Sequence, residues 1–357
     1  MLFITIRGGR RPAIRGVVLN SEPDMRPDQI PPASAVPARQ IIAALVVTHD
    51  RLERLRVTLS RLLAEDLDHV LVFDNASGDG TRDYLGGIND PRLIAVHHPV
   101  NLGGAGGFAR GLRQVVETLD PDWVVLMDDD GRPAPGQIAH FRSLDLRGWD
   151  ALGAAVLTPG GQVCEMNRPY RNPFWRLPEF LRTLAGAGRR GFHLGDDDYG
   201  PDGGPVEIDM TSFVGLFLSR ASIARAGYPD ERLFIYGDDQ LYTLEMRRKG
   251  LRIGFLPEIR FEHDTGSIQS GGHLVLRPMW KVYYMYRNAL LAYRVAAGPW
   301  FWPLLPVLAL RWRGKARHYG PDAARYRRIL QRAFRDGLHQ RLDRPHSEIV
   351  ALAGKRD

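Results

Sequence analysis

Four short apolar runs constrain this chain more than anything else in it. Residues 41–47, 69–74, 93–98 and 123–128 each close on a polar or acidic turn, and three lead into helix-like stretches such as LERLRVTLSRLLAED. Unbroken Val, Ile and Leu runs mark strands buried on both faces, and their alternation with amphipathic helices marks a parallel sheet. The predicted class is α/β, a Rossmann-like nucleotide-binding sheet with helices on both faces. In such sheets the ligand lies beyond the carboxyl ends of the strands. Those ends carry Thr48 to Arg51, Asp74 to Ser77, Asn101 to Gly104 and Asp128 to Gly131. Polar and acidic groups stand where a ligand is expected.

The rest of the chain is organised differently. Residues 1–40 hold Pro27, Pro31, Pro32 and Pro37 without useful periodicity and read as a leader or linker. The opening apolar run of five residues is too short for a signal-peptide core, so secretion is not expected. A single cysteine, Cys164, forbids an intrachain disulfide and a Cys-rich zinc module, which fits a reducing, cytoplasmic compartment. The 357 residues carry a net charge of +7, yet residues 271–357 hold 17 Lys and Arg against 5 Asp and Glu. The basic charge is therefore a property of the C-terminal region. No RNA- or DNA-binding signature accompanies it, and nucleic acid is not an expected partner. Three regions follow: the leader at 1–40, an α/β domain at 41–270, and a mainly helical, basic and aromatic region at 271–357.

WVVLMDDDGRP is the strongest motif. Residues i and i+2 of a strand face one way, so Asp128 and Asp130 can converge while Asp129 faces elsewhere. Clustered carboxylates repel one another unless a cation or hydrogen-bond donors compensate, and a divalent metal is the natural compensator. The plain alternative is a solvated acidic turn in which Asp130 caps the next segment. In LFIYGDDQLYTLEMRRKG, Asp238 and Asp239 open an amphipathic helix, whose dipole accounts for one acid more readily than for a pair. A carboxylate held there can take a proton from an attacking hydroxyl. LRIGFLPEIRFEHD ends a strand-like stretch at His263, which read alone is a satisfied surface histidine and read with the acids completes an Asp, Asp, His ligand set. NLGGAGGFARGLRQVVETL places a glycine-rich loop at a helix start. Its Gly104, Gly106 and Ala109 fit the dinucleotide spacing GxGxxA, but after the third strand rather than the first. Glycines there let a ligand approach the backbone or let the helix pack tightly.

Taken in order, VTHDR, VFDNAS, NLGGAGGF, MDDDG, LFIYGDDQLY and His263 resemble the inverting family 2 glycosyltransferases of GT-A fold. Among these the pattern is most similar to bacterial galactofuranosyltransferases of the galactan-initiating type, and MYRN at 285–288 resembles a segment these share with rhamnosyltransferases. The resemblance implies that Asp128, Asp130 and His263 hold Mn²⁺ or Mg²⁺ and that Asp239 is the general base. It implies that Thr48, Arg51, Asp74 and Asn101, with the glycine loop at Gly103 and Gly104, line the uridine and diphosphate site of a UDP-sugar donor. Asp129 would touch the nucleotide-sugar and Asp238 the sugar or acceptor. Asp50 stands where the family often has Asn or Arg, and Gln240 and Leu241 replace a more acidic stretch of some members. A rhamnosyl donor, a non-catalytic membrane scaffold and a dinucleotide oxidoreductase are the competing readings.

Residues 289–310 contain one charge, Arg294, but are interrupted by Gly298, Pro299, Pro303 and Pro306, which argues against a simple span. The expectation is an interfacial anchor: Trp300, Phe301 and Trp302 at the headgroups, and Arg311, Arg313, Lys315 and Arg317 facing anionic lipid. The alternative is a helical packing layer with a solvated basic flank. An anchor suits a polyprenyl-diphosphate-linked or other cell-surface glycan acceptor and a peripheral place at the cytoplasmic face of the inner membrane. Homo-oligomerisation is left open. Residues 167–199, aromatic and without periodicity, are expected to shape the acceptor site or to form a disordered insertion.

Overall fold

The computed structural model describes residues 39–200, 204–264 and 275–354. The leader expected over 1–40 lies almost entirely outside them. In chain order the elements are β1 (Ile42–Thr48), α1 (Leu52–Leu63), β2 (His69–Asn75), α2 (Thr81–Gly86), β3 (Leu93–His98), α3 (Gly103–Leu119), β4 (Trp123–Asp128), β5 (Gly131–Pro133), α4 (Gln137–Ser143) and β6 (Ala151–Leu157). Then follow α5 (Leu177–Arg182), β7 (Val206–Ile208), β8 (Leu216–Ser219), α6 (Arg220–Ala226), α7 (Asp238–Arg248), β9 (Ile253–His263), α8 (Trp280–Ala297), α9 (Phe301–Gly314), α10 (Ala323–Leu338) and α11 (His346–Ala353).

The sheet runs β3-β2-β1-β4-β8-β6-β9-β5, with β7 also paired to β9. The four predicted strands are parallel neighbours, as their helical crossovers require. Beyond β4 the sheet is mixed rather than parallel. β8 runs antiparallel to both β4 and β6, and β5 antiparallel to β9. The parallel half ends at β4 because β8 is not entered through a strand–helix crossover, so nothing imposes a parallel direction.

Alternate residues of β1 serve two cores. Ile42, Ala44 and Val46 pack with Leu55, Leu59 and Leu62 of α1 and with Phe141 of α4. Ala43, Leu45 and Val47 pack with Phe108, Leu112 and Val115 of α3 and with Met246 of α7. The close approach of α3 needs Gly107, where a Cβ would stand 2.4 Å from Val47 Cγ1. Tight packing therefore explains part of the glycine run.

The C-terminal helices make a third core, with Tyr283, Tyr286, Phe301, Trp312, Tyr326 and Ile329 buried together. Tyr283 donates to Asp336 Oδ2 at 2.9 Å and Tyr326 to the Trp312 carbonyl at 2.8 Å. Leu291 packs with Leu233 and Leu241, and Ala292 and Ala296 pack with Leu244, so α8 lies along α7. Phe301 corrects the expected anchor. It is 1% exposed, whereas Trp300 and Trp302 are 61% and 58% exposed, because the register of α9 turns position 301 inward. Among the described residues no helix is long and apolar enough to cross a membrane. Segment 167–199 folds into short helical turns. It is tied down through buried Asp209, which accepts from Asn172 N, Arg176 Nε and Arg247 Nε at 2.8–2.9 Å, while Asn172 Nδ2 donates to the Ala296 carbonyl at 2.9 Å.

Candidate active site

The carboxyl ends of β1, β2 and β4 bring most of the predicted residues to one edge of the sheet. Val47 pairs with Asp128, and Thr48 with Asp74. Asp129 and Asp130 are buried and Asp128 half-buried. β5 turns back from these acids and pairs Gly131 with His263 of β9, which makes neighbours of two residues 133 apart in sequence: His263 Nε2 lies 3.2 Å from Asp130 Oδ1. One ligand atom from each of Asp128, Asp130 and His263 falls within 4.8 Å of the other two. His263 Nδ1 is 2.7 Å from Asn167 Oδ1, and Asn167 Nδ2 donates to Ser212 Oγ at 2.8 Å. With Nδ1–H given to Asn167, Nε2 is the nitrogen turned towards the acids. Two carboxylates and an imidazole oriented by its second nitrogen form a donor set that suits Mn²⁺, and the carboxylates also suit Mg²⁺.

Cations of the chain itself counter the acids. Arg51 Nη1 is 3.0 Å from Asp129 Oδ1 and its Nη2 bonds Asp130 Oδ2; Arg54 Nη1 is 3.7 Å from Asp130 Oδ2. Thr48 Oγ1 donates to Asp129 Oδ2 at 2.9 Å. The balance is incomplete. Burial, reinforced by the Asp130 charge, pushes Asp128 up to about 6. Burial pushes Asp129 up to about 7 against the pull of Arg51. Asp130 goes the other way: burial opposes it, but His263 and Arg51 together hold it below the usual carboxylate range.

Asp238 and Asp239 open α7 and are half-buried. Burial pushes Asp239 up to about 6 although Gln240 N donates to its Oδ1 at 2.7 Å, and burial with the Asp239 charge raises Asp238 well above its ordinary value. The charge of Asp128 contributes to raising both. The two acidic groups, 110 residues apart in sequence between Asp128 and Asp238, are thus electrostatic neighbours.

The glycine loop is held from both sides. Asn75 Nδ2 donates to Asn101 Oδ1 at 3.2 Å and to the Gly103 carbonyl at 2.9 Å, and its Oδ1 accepts from Leu102 N at 2.8 Å. Asp74 accepts from Ser77 N at 2.9 Å and lies 2.8 Å from His97 Nδ1. Gly103 has φ +71°, and a Cβ there would lie 2.0 Å from the Phe234 carbonyl oxygen; at Gly104 a Cβ would meet nothing within 4 Å. Gly104 is the position with room for a ligand. The dinucleotide spacing does not persist as a ligand cradle, because a Cβ at Gly106 would stand 2.5 Å from Leu102 Cβ.

Sequence reasoning missed Asn75, Asn167 and Lys281. The first lay in the VFDNAS motif without a role, and the second opened a segment read for its aromatics. Lys281 of α8 has its pKa lowered by burial and by the charge of Arg51, so it lies near Arg51, and its place in a basic helix gave no sign of that.

The chain matches known proteins along this framework. Residues 43–190 match the family model described as Glycosyl transferase family 2. The chain is 30% identical over 245 residues to Galactofuranosyltransferase GlfT1 of Mycolicibacterium smegmatis, covering 64% of this chain and 72% of that protein. It is 31% identical over 245 residues to Galactofuranosyltransferase GlfT1 of Mycobacterium tuberculosis, covering 63% and 71%. A crystal structure of GalNAc-T7 with UDP, GalNAc and Mn²⁺ superposes with a TM-score of 0.52 at 11% identity, over 72% of this chain and 48% of that one. That likeness concerns the fold alone.

The sheet and its flanking helices are those of a GT-A glycosyltransferase. The chain belongs to glycosyltransferase family 2, with relatives named as galactofuranosyltransferases.

The packing of the glycine loop is directly testable. Gly103→Ala should lower the unfolding free energy by about 2 kcal/mol or more, since it meets a backbone carbonyl at a left-handed φ. Gly104→Ala should change it by less than about 1 kcal/mol. Urea denaturation of both variants checks this, and equal effects would contradict it.

Proposed function

We propose that this chain transfers galactofuranose from UDP-galactofuranose, with inversion at the anomeric carbon, to a hydroxyl of a cell-surface glycan or its polyprenyl-diphosphate-linked precursor. One observation carries the reading: Asp128 belongs to two groups at once, the cluster with Asp130 and His263 within 4.8 Å and the pair Asp238–Asp239 whose pKa values its charge raises. A donor-binding centre and a proton acceptor are thereby neighbours. The galactofuranosyl donor is drawn from the named relatives.

Asp239 accepts the proton of the attacking acceptor hydroxyl. Its raised pKa keeps it basic enough for that transfer while leaving it ionised at neutral pH. Attack from the face opposite the leaving UDP inverts the anomeric carbon in a single displacement, with no covalent enzyme intermediate. Asp128, Asp130 and His263 hold Mn²⁺ or Mg²⁺, which when bound supplies Lewis-acid stabilisation of the charge developing on the diphosphate. Arg51 stands against the same acids and supplies a positive group for the diphosphate. Thr48, Asp74, Asn101 and the glycine loop at Gly103 and Gly104, open at Gly104, line the nucleoside side. Asp129 contacts the nucleotide-sugar and Asp238 the sugar or acceptor.

The helical C-terminal region serves the acceptor side at the cytoplasmic face of a membrane. Trp300, Trp302, Val307 and Leu310 are exposed on α9 and its entry, with exposed Arg311 and Arg313 beyond them. Such a surface suits apolar insertion beside anionic headgroups.

Incubation of the purified chain with Mn²⁺, a panel of nucleotide-sugars and a polyprenyl-diphosphate-linked glycan should consume UDP-galactofuranose, and a chelator should abolish turnover. Consumption of dTDP-rhamnose alone would overturn the donor assignment. Asp239→Asn should reduce kcat by about 10³-fold with UDP binding retained; unchanged turnover would remove Asp239 as base.

The pH profile gives an independent reading. A base must be ionised to act, so kcat should rise with pH through about 6, where burial has moved Asp239. An acid limb at the ordinary carboxylate value near 4 would contradict the assignment.

A further inference from the structure

The MYRN segment has no part in the chemistry described so far, yet two of its residues are among the most deeply buried polar groups of the chain. Arg287 is 0% and Asn288 1% exposed on α8. Asn288 Nδ2 shares its two N–H groups among three carbonyls of one loop: Leu233 at 3.0 Å, Ile235 at 2.9 Å and Tyr236 at 2.7 Å. Arg287 Nη2 donates to the carbonyls of Arg232 at 3.0 Å and Leu233 at 2.9 Å, and its Nε donates to Asn288 Oδ1 at 2.9 Å. The guanidinium lies 5.2 and 5.0 Å from the ring centres of Tyr283 and Tyr284, an apolar setting that lowers its pKa through burial.

The loop so held is strained. Phe234, Tyr236 and Gly237 have φ of +67°, +68° and +74°, and a left-handed aromatic residue persists only where its surroundings over-determine it. Gly237 is followed directly by Asp238 and Asp239. On its other side the same loop meets the glycine loop, for the Phe234 carbonyl accepts from Ala105 N at 3.1 Å and abuts Gly103. Burying an arginine and an amide to bind carbonyls is costly where an apolar contact could fill the space. That cost is explained by what the loop carries.

We propose that Asn288, braced by Arg287, is a positioning residue that holds the strained loop 232–237 so that Asp239 is presented to the acceptor hydroxyl. The inference rests on the reading of Asp239 as the base. Asn288 touches no reacting atom; it acts through the backbone that ends at the pair of acids. The same brace fixes the glycine loop at Phe234, so the proton acceptor and the nucleotide side keep one spacing.

Asn288→Asp preserves shape and removes the donors, and Asn288→Ser keeps one. With UDP-galactofuranose and the polyprenyl-diphosphate-linked glycan, Asn288→Asp should lower kcat about 100-fold, change the donor KM far less, and move the acid limb of the pH profile. Asn288→Ser should fall between it and wild type. Titration calorimetry with UDP and Mn²⁺ and the melting temperature are measured alongside. Wild-type kcat in folded Asn288→Asp, with Asp239→Asn inactive, overturns the positioning role while sparing the base. Wild-type kcat in Asp239→Asn overturns the base itself. Should Asn288→Asp not fold, the Ser variant decides: a loss of about tenfold at an unchanged melting temperature sustains the role, and a kcat within about twofold of wild type overturns it.

Discussion

Burial of several carboxylates close together governs the electrostatics of this site. Asp128, Asp129 and Asp130 leave the end of β4 together, and Asp238 and Asp239 approach from α7. Three or more buried anions in one place raise each other's pKa, and the fold survives them only by supplying positive charge. Arg51 stands 3.0 Å from Asp129, and Arg54 and His263 stand 3.7 and 3.2 Å from Asp130. They leave Asp128 and Asp239 short of full compensation, each pushed up to about 6. On the function proposed above, a site left in this condition would take up a further cation and hold a proton acceptor close to neutrality, two properties that a sugar transfer to a hydroxyl requires.

The sheet makes the arrangement rigid. β1 and β4 are buried along nearly all their length between helices on both faces, so the acids project from a part of the molecule that does not yield. The mixed half of the sheet then does what a parallel continuation could not. By running antiparallel to β9, the short β5 places the residue after Asp130 opposite His263. α8 closes the other side, and its Arg287 and Asn288 reach the loop in front of α7.

What could be read from the residues depended on whether the information was local. The runs at 42–48 and 123–128 and the acids at their ends were legible because strand burial and a DDD turn are each written in consecutive residues. The grouping of Asp128 and Asp130 with His263 was reachable through resemblance and strand geometry. Asn167, which orients His263 from 96 residues away, was not, since an asparagine in an aromatic segment carries no mark of its partner. Asn75 and Asn288 stayed silent for the same reason: each acts by donating to backbone carbonyls, which have no identity in a sequence. Phe301 was misplaced because an apolar triplet does not reveal which of its members a helix turns inward.

The central claim is that Asp128, Asp130 and His263 gather around one divalent ion beside a nucleotide diphosphate. Crystals of the chain grown with Mn²⁺ and UDP, measured at a wavelength where manganese scatters anomalously, test it most directly. A single strong peak in coordination contact with all three side chains and with the diphosphate is the predicted result. Manganese bound elsewhere, or UDP bound with these three groups turned away from it, would contradict the account.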